Sequence, residues 1–326
     1  MIAFERLGVV LKNGEPVYGG ATTAKFNAGM AVKNDKVHML YRYAEQLEDT
    51  SDVYKSPYAV DHICHATLTL DGELLSDDET PVIKCDTKYD STGCQDPRIV
   101  YFEGEYYIFY CGWDINTAPK GEGTPRPMIA KTKDFVTYEK LGVVALNDKD
   151  HFIFPARING EIAFVHRVQP DIQIDYFDSF EDIVNPDMWQ AYGKEKSTVM
   201  KSEQPFEGQK IGGGVPPIKT DEGWLFIYHG VCDDSAAKSK FRYSVGIALL
   251  DLENPSKVIA RLPYEVLKPE TDYELYGDVD NVVFPVGGYV HDGYIYISYG
   301  CADKYVALGR MKFDEVLSEL NKYRID

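Results

Sequence analysis

The sequence predicts an all-β protein, a five-bladed β-propeller with a short C-terminal helix. Two observations predict it: a hairpin pattern recurs five times in the same register, and amphipathic helical spacing is confined to the C-terminal tail. The chain has 326 residues, of which 44% are hydrophobic, and this is enough for five packed repeats. We therefore predict one domain that spans residues 1–326.

Each repeat centres on a two-residue turn followed by a strand of alternating aromatic and aliphatic residues. These segments are residues 35–42, 104–111, 160–167, 222–229 and 292–299. A strand precedes each turn, at residues 28–32, 97–102, 155–158, 215–219 and 282–290. A third strand follows at residues 64–72, 127–135, 171–178, 244–252 and 305–313. Because no repeat can bury both of its faces alone, the five are expected to pack radially.

The competing fold is a pair of β-sandwiches, which also contain many short strands. Five repeats in one register favour the propeller. Beyond the last repeat, the i, i+3, i+4, i+7 spacing of an amphipathic helix is formed by Phe313, Val316, Leu317, Leu320 and Tyr323. We predict that this helix packs on the outside of the propeller.

The charge of the chain limits the partners that it can have. Lys and Arg number 34 against 52 Asp and Glu, a formal net charge of −18, so neither nucleic acid nor an anionic membrane is an expected partner. The N-terminus lacks the features of a signal peptide, and the six cysteines are scattered as reduced thiols are, so we predict a cytoplasmic protein. The 24 tyrosines suit carbohydrate binding, although β-sheets also favour tyrosine. Whether the chain forms a homo-oligomer is left open.

Polar side chains at the blade starts are expected to converge on one axial pocket, because the first strand of each blade lines the channel of a propeller. The candidates at blade starts are Asn27, Asp96, Arg98, Arg157, Lys210 and Asn281, and those near the ends of neighbouring strands are Arg42, His166, Arg167, His229 and Asp303. One strong carboxylate among several cations differs from the two carboxylates of an ordinary glycosidase. The set predicts an anion site beside an acid.

Structural alternatives remain for these residues. Asp96 precedes a proline and is also a natural turn residue, and Lys210 is also a natural surface lysine. His166 and His229 are compatible with ordinary strand histidines. The run of glycines after Lys210 is expected to let backbone approach a ligand closely. The sequence contains no metal-ligand motif, so we expect no catalytic metal and no cofactor.

Several segments resemble glycoside hydrolase family 130, in order and along nearly the whole chain. They are CQDPRIVYF (94–102), FPARINGEIAFVHR (154–167), KIGGGVPPIKTDEGWLFIYHGV (210–231), ALLDLENPSKVIAR (248–261), NVVFPVG (281–287) and YGCAD (299–303). Members of that family are five-bladed propellers, mostly inverting phosphorylases of β-mannosides, with a minority of β-1,2-mannosidases. The resemblance implies a mannose-containing oligosaccharide and inorganic phosphate as the two substrates.

The resemblance also implies residue roles. The general acid of the family's Glu-Asp-Pro-Arg motif corresponds to Asp96, and the preceding Glu is Gln95 here. The cationic group that holds phosphate corresponds to Arg42, Arg98, Arg157, Lys210 and His229. Sugar-subsite residues correspond to Asn27, His166, Arg167, Tyr243, Asn281 and Asp303. The acceptor sugar is expected to be selected by the loop of residues 114–127.

Two other functions stay open. Hydrolysis needs a carboxylate to activate water, and Glu203 and Glu207 precede Lys210 closely enough to be candidates for that base. A propeller lectin that binds mannosides without turnover would need neither the acid nor the phosphate site. Because Lys210 and His229 are retained at matching motif positions, the sequence favours inverting phosphorolysis of a β-1,2- or β-1,4-mannoside to α-mannose 1-phosphate.

Overall fold

Antiparallel strand pairing organises the described residues of the chain into five sheets of four strands each. The computed structural model describes residues 1–14, 21–46, 58–114, 124–144, 148–191 and 198–325. Over those residues the five sheets are successive in sequence, as expected for the blades of a propeller. The predicted five-bladed propeller is confirmed.

The strands have the following bounds. The chain begins with β1 (Glu5–Leu11). Blade 1 contains β2 (Thr22–Lys33), β3 (Lys36–Gln46), β4 (Tyr58–Leu68) and β5 (Leu74–Ile83), and blade 2 contains β6 (Gly93–Phe102), β7 (Glu105–Asp114), β8 (Thr124–Thr132) and β9 (Glu139–Val143). Blade 3 contains β10 (Phe152–Ile153), β11 (Ile162–Val168), β12 (Asp171–Phe177) and β13 (Thr198–Met200). Blade 4 contains β14 (Lys210–Lys219), β15 (Trp224–Asp233), β16 (Phe241–Leu250) and β17 (Val258–Arg261), and blade 5 contains β18 (Val283–His291), β19 (Tyr294–Cys301), β20 (Tyr305–Lys312) and β1.

Helical segments are short. They are α1 (Phe180–Ile183), α2 (Asp272–Leu275) and the predicted C-terminal helix α3 (Phe313–Leu320), with 3₁₀ turns at Pro186–Ala191, Pro205–Glu207 and Asn321–Tyr323. Val316 and Leu320 of α3 are buried and join the apolar cluster between blades 4 and 5. The helical spacing in the tail therefore identified both the helix and its buried face.

The two ends of the chain meet in blade 5. Strand β1 pairs antiparallel with β20, with Glu5 opposite Arg310 and Leu11 opposite Val306. The side chain of Arg6 anchors this strand through a 2.9 Å hydrogen bond from its Nε to Oε1 of the buried Glu274. The N-terminus therefore supplies the outer strand of the last blade, which the internal repeat did not predict.

Apolar side chains between neighbouring blades form the core. The largest cluster joins blades 2, 3 and 4 and includes Phe109, Phe164 and Phe226, all nearly inaccessible to solvent. The first strands of the blades contact one another in a closed ring, in the order β2, β6, β10, β14, β18 and back to β2. The apolar side chains of these inner strands pack between the blades, so their polar side chains face the axis.

Irregular backbone at the blade starts turns side chains toward the axis. The β2–β3 ladder shifts register between Phe26 and Gly29, and the β6–β7 ladder shifts between Gln95 and Arg98. Inside these bulges Asn27 and Asp96 have φ values of 50° and 53°. Asn and Asp tolerate this left-handed conformation better than other residues with a Cβ, and such backbone is concentrated at functional sites.

The predicted inner strand of blade 3 is wrong by a few residues. The sequence pattern placed it at 155–158, but the strand is β10, Phe152–Ile153, and Phe152 pairs with Val165. Residue Asp150, with a φ of 65°, is then the counterpart of Asn27 and Asp96. The error arose because the PARI segment imitates a strand while the true strand has only two paired residues.

None of the helices in the described part of the chain is long and apolar enough to cross a membrane.

Candidate active site

A cavity of about 260 Å³ opens on the propeller axis and collects polar side chains from all five blades. Its lining residues are Asn27, Arg42, Asp96, Trp113, Lys149, Asp150, Arg167, Lys210, His229, Tyr243, Val279, Val282, Phe284 and Asp303. Eight of the sequence-predicted site residues are in this set: Asn27, Arg42, Asp96, Arg167, Lys210, His229, Tyr243 and Asp303. The sequence therefore identified most of the charged groups of the cavity.

Asp96 is the carboxylate at the centre of the cation cluster. It is 4% exposed, and its Oδ1 accepts a 2.8 Å hydrogen bond from Nδ2 of Asn27. Nη1 of Arg42 is 3.7 Å from Oδ1, and Nζ of Lys149 is 3.7 Å from Oδ2. Burial alone would raise the pKa of Asp96, but Lys149, Arg42 and the Asn27 hydrogen bond together hold it below the usual value. Without a ligand, Asp96 is therefore a carboxylate.

Lys149 is the lysine that faces Asp96. Although burial opposes it, the charge of Asp96 raises the pKa of Lys149 to about 12. Its Nζ also lies 5.5 Å from the centre of the Trp113 ring, a cation–π distance. A dianion that enters the cavity would compete with Asp96 for Lys149, and this would let the pKa of Asp96 rise toward that of a proton donor.

Asp150 connects two arginines that have different positions. Its Oδ2 is 2.6 Å from Nη1 of Arg167, which faces the cavity, and its Oδ1 accepts a 3.0 Å hydrogen bond from Nη2 of Arg98. Arg98 lies behind the lining and donates to the carbonyls of Gly213 and Gly214. Despite burial, the two guanidinium groups hold the pKa of Asp150 well below its usual range. Arg98 therefore fixes Asp150 and β14 and does not reach the cavity itself.

Lys210 and His229 present polar atoms without partners to the cavity. Within the described residues Lys210 has no ion pair, and neither ring nitrogen of the fully buried His229 has a hydrogen-bond partner. Burial, and then Arg167, lowers the pKa of Lys210 to about 8. Burial also lowers the pKa of His229 to about 3, so its imidazole is neutral at pH 7. Because polar groups inside a protein are normally paired, donors of this kind are suited to an anionic ligand.

Asp303 is a further carboxyl group, besides Asp96 and Asp150, that lines the cavity. Burial raises the pKa of Asp303 to about 7, although Arg42 opposes the effect. Its φ of 50° places it in the same left-handed backbone as the blade-start residues. Tyr243 contributes an aromatic face beside the ring of His229, with 5.9 Å between ring centroids. A carboxyl, an amide and aromatic rings on one wall are the groups that commonly bind a sugar.

Three predicted site residues do not line the cavity, in addition to Arg98. Arg157 follows β10 and is directed outward, where its Nε donates to Oε1 of Glu103 at 2.7 Å. The Nε2 of His166 is 2.6 Å from Oδ2 of Asp175 inside blade 3. Asn281 donates from Nδ2 to Asp234, and its backbone carbonyl accepts from the amide of Tyr243 at 3.0 Å. Arg157 was wrongly predicted to face the cavity because the inner strand of blade 3 was placed too far along the sequence; the channel-facing residues of this blade precede Phe152.

Sequence reasoning missed Trp113, Lys149, Asp150, Val279, Val282 and Phe284. A signal for two of them was present: Lys149 and Asp150 precede His151 and Phe152 as Gln95 and Asp96 precede Pro97 and Arg98. Aligning blade 3 on that pair would have found both residues. The apolar members carry no such signal, because a Val or Phe in a strand has the same pattern in a core as in a pocket.

The glycines after Lys210 have a structural role within the protein. A Cβ on Gly212 would lie 2.5 Å from Cε1 of His229, and one on Gly213 would lie 2.5 Å from the ring of Phe152. These glycines therefore make room for the protein's own side chains. The run thus allows close packing of His229 against β14, and the close approach between backbone and ligand stays a prediction.

The two carboxylates proposed as a base for hydrolysis lie outside the cavity. Glu207 is fully buried and accepts from Tyr228 at 2.6 Å and from Nη2 of Arg261 at 2.7 Å. Its Oε2 also accepts the backbone amides of Glu203 and Gln204, and Glu203 itself is exposed. Glu207 thus closes a structural network, and neither residue can activate water in this pocket.

Comparisons with known proteins agree with this geometry. A family model for glycoside hydrolase family 130, described as beta-1,4-mannooligosaccharide phosphorylase, matches residues 5–322. The chain belongs to glycoside hydrolase family 130. It is 32% identical to a 1,2-beta-oligomannan phosphorylase of Thermoanaerobacter sp. over 294 residues, which are 90% of this chain and 91% of that protein.

Solved structures of family 130 have the same fold. The beta-1,2-mannobiose phosphorylase of Listeria innocua, in complex with beta-1,2-mannobiose, superposes with a TM-score of 0.79 at 24% identity, covering 98% of this chain and 99% of that one. A structure reported with glycoside hydrolases of the family that target beta-1,2 mannosidic linkages in Candida mannan superposes with a TM-score of 0.77 at 22% identity, covering 95% and 93%. The propeller is therefore shared by phosphorylases and hydrolases, and the fold alone does not separate them.

Proposed function

We propose that the protein catalyses the inverting phosphorolysis of a β-mannoside, with inorganic phosphate as co-substrate and α-mannose 1-phosphate as product. The observation that carries the proposal is the pair Lys210 and His229, which line the cavity with Arg167: within the described residues Lys210 has no ion pair, and the ring nitrogens of His229 have no hydrogen-bond partner. Three donors around one space match the oxygens of a phosphate, and buried charge-assisted hydrogen bonds hold it firmly. The 32% identity to an oligomannan phosphorylase supports the same activity.

Asp96 is the proposed general acid. It gives its proton toward the glycosidic oxygen, which leaves with the shortened sugar, while a phosphate oxygen attacks the anomeric carbon from the opposite face. One bond to the anomeric carbon breaks and one forms, so the configuration inverts. Phosphate is already anionic and needs positioning rather than deprotonation, so no second catalytic base is required. The binding of phosphate also draws Lys149 away from Asp96, which favours the protonated acid.

The mannosyl unit is proposed to bind against Asn27, Tyr243 and Asp303. Arg42 also lines the cavity beside Asp96 and takes part in orienting the sugar. An adjoining cavity of about 420 Å³ shares Trp113, Lys149, Arg167 and Lys210 with the first. The loop that was expected to select the acceptor sugar lies mostly outside the described residues, since only Asp114 and residues 124–127 of it are described.

Hydrolysis is the second candidate function, and one observation favours it. Asp303 lines the cavity with a pKa raised to about 7, which suits a group that accepts a proton from water. In that case Lys210 and Arg167 would bind sugar hydroxyls. A cytoplasmic location would favour phosphorolysis, because a charged sugar phosphate is retained inside a cell. The proposed reaction uses no metal or organic cofactor.

A product assay separates the candidates. The protein is incubated with β-1,2-mannobiose, β-1,4-mannosylglucose and β-1,4-mannosyl-N-acetylglucosamine, each with and without inorganic phosphate. Mannose 1-phosphate formed only with phosphate supports the proposal and identifies the acceptor sugar. Free mannose released at equal rates in both conditions contradicts it and supports hydrolysis. Sugar binding without any product supports the lectin.

A further inference from the structure

A buried chain of polar side chains continues behind the cavity from Asp96. Asp61 of β4 is 1% exposed and does not line the cavity. Its Oδ1 accepts a 2.9 Å hydrogen bond from Nε of Arg42, and its Oδ2 accepts a 2.7 Å hydrogen bond from Nε2 of Gln95. Gln95 is itself 7% exposed and directly precedes the proposed acid in β6. Asp61 therefore connects the strand of the acid to the cation beside it.

Arg42 lies between two carboxylates and favours one. Its Nε is 2.9 Å from Asp61, whereas its Nη1 is 3.7 Å from Asp96, beyond a direct hydrogen bond. Its guanidinium carbon also lies 4.5 Å from the centre of the Phe26 ring, which supports it from one side. Shortening this 3.7 Å ion pair to a direct hydrogen bond would hold the acid more firmly in its ionised form, so the distance between the two groups matters to proton donation.

Because Gln95 carries an amide, Asp61 is the only acid of the hydrogen-bonded pair Asp61–Gln95. Burial raises the pKa of Asp61, and the hydrogen bonds from Arg42 and Gln95 act against that effect. A carboxylate in place of the amide would bring two acids into contact, and one of them would have to retain a proton. Gly93 packs closely against this pair, since a Cβ on it would lie 2.9 Å from Oδ2 of Asp61 and 3.3 Å from Nε2 of Gln95.

We propose that Asp61 is a positioning residue that holds Arg42 beside Asp96 without direct contact, and that the Gln95 amide is its required partner. The inference rests on the proposed function, because it takes Asp96 as the acid. Asp61→Asn alone leaves no carboxylate in the pair of residues 61 and 95, so the charge of Asp96 draws Arg42 toward it. The acid then becomes harder to protonate, although no residue in contact with the substrate has changed.

The test uses three variants: Asp61→Asn, Gln95→Glu and the exchange of the two groups, Asp61→Asn with Gln95→Glu. Two readouts are taken, the crystal structure of each variant and the pH dependence of kcat for β-1,2-mannobiose with inorganic phosphate. In Asp61→Asn we expect Arg42 at hydrogen-bond distance from Asp96. The pH above which kcat declines should fall by about one unit, so that kcat on the alkaline side is about 10-fold lower than in the wild type. In Gln95→Glu we expect kcat to fall as pH rises and the shared proton is lost.

The exchange variant tells positioning apart from general damage. Its amide at position 61 still accepts from Arg42 and now donates to the carboxylate at position 95, so the pair keeps one charge and both hydrogen bonds. We expect kcat to return to within about threefold of wild type. Because each single substitution lowers kcat, this recovery would show that residues 61 and 95 are strongly coupled. The control is Glu207→Gln, which breaks a buried carboxylate–arginine pair outside the cavity. This control variant should have a lower melting temperature and an unchanged pH dependence of kcat.

Two results would overturn the inference. The first is an Asp61→Asn crystal structure in which Arg42 keeps its place, together with an unchanged pH dependence of kcat. The second is an exchange variant that is no more active than Asp61→Asn. Failure of the proposed function is recognised separately, as a wild-type protein that forms no mannose 1-phosphate. In that case the position of Arg42 in the variant crystals alone supports or refutes the positioning role.

Discussion

The binding of phosphate should weaken as the pH rises through 8, because Lys210 loses its charge there. Burial lowers the pKa of Lys210 to about 8. Lys210 is charged below that pH and neutral above it, so the affinity for phosphate falls as the pH rises. If only charged Lys210 binds phosphate, the KM for phosphate at pH 7 rises about twofold at pH 8 and about 10-fold at pH 9. Phosphate itself is dianionic throughout the upper part of this range, so its own titration does not produce the effect.

Initial rates at varied phosphate and saturating mannoside, from about pH 6.5 to about pH 9.5, measure this directly. Lys210→Arg is the matched variant: its guanidinium stays charged, and the KM for phosphate should become nearly independent of pH. Lys210→Met should raise that KM at pH 7 by about 10- to 150-fold, the value of one lost charge-assisted hydrogen bond of about 1.5–3 kcal/mol, and the difference from wild type should shrink as the pH rises through 8. Calorimetry at pH 8 in two buffers should show uptake of about half a proton per phosphate bound. A wild-type KM that stays flat between pH 7 and 9 refutes the reasoning.

Three further predictions test other parts of the site. Asp96→Asn should lower kcat by about 10²- to 10⁴-fold while calorimetry still detects mannoside binding, and normal activity would remove Asp96 from its role. Arg157→Ala should leave the KM for phosphate unchanged, because its guanidinium binds Glu103 on the exterior; a large increase would contradict the assignment of the cavity. Glu207→Gln should reduce the free energy of unfolding by about 3–5 kcal/mol in urea titrations, the cost of leaving Arg261 buried and unpaired, and an unchanged midpoint would count against that network.

The fold could be predicted from sequence because each blade repeats the same local pattern. Alternation of apolar residues determines which face of a strand is buried, and the turns fix the register of each hairpin. Strand β1 had no repeat around it, and its place beside β20 depends on a pairing between the two ends of the chain. The start of blade 3 was misread because β10 has only two paired residues and thus almost no periodic signal.

The site could be predicted only where its residues are chemically distinctive. Asp96, Lys210 and His229 were found because an acid, a lysine and a histidine beside the inner strands are unusual. Asp61 was missed because its role depends on contacts with Arg42 and Gln95, which lie 19 and 34 residues away in sequence. Contacts between different strands and blades decide which of two charged groups faces the axis, and no local pattern encodes them.

The distribution of charge also explains how an acidic protein can bind phosphate and release a sugar phosphate. The net charge of −18 repels anions at long range, so attraction has to come from the cavity itself. There, four carboxylates neutralise four cations: Arg42 is paired with Asp61, Lys149 with Asp96, and Arg98 and Arg167 with Asp148 and Asp150. Among the cations of the described cavity, Lys210 is left without such a partner, so it supplies the main attraction for phosphate. A site with all of these cations unpaired would bind phosphate more tightly but would also hold mannose 1-phosphate, and product release would then limit turnover.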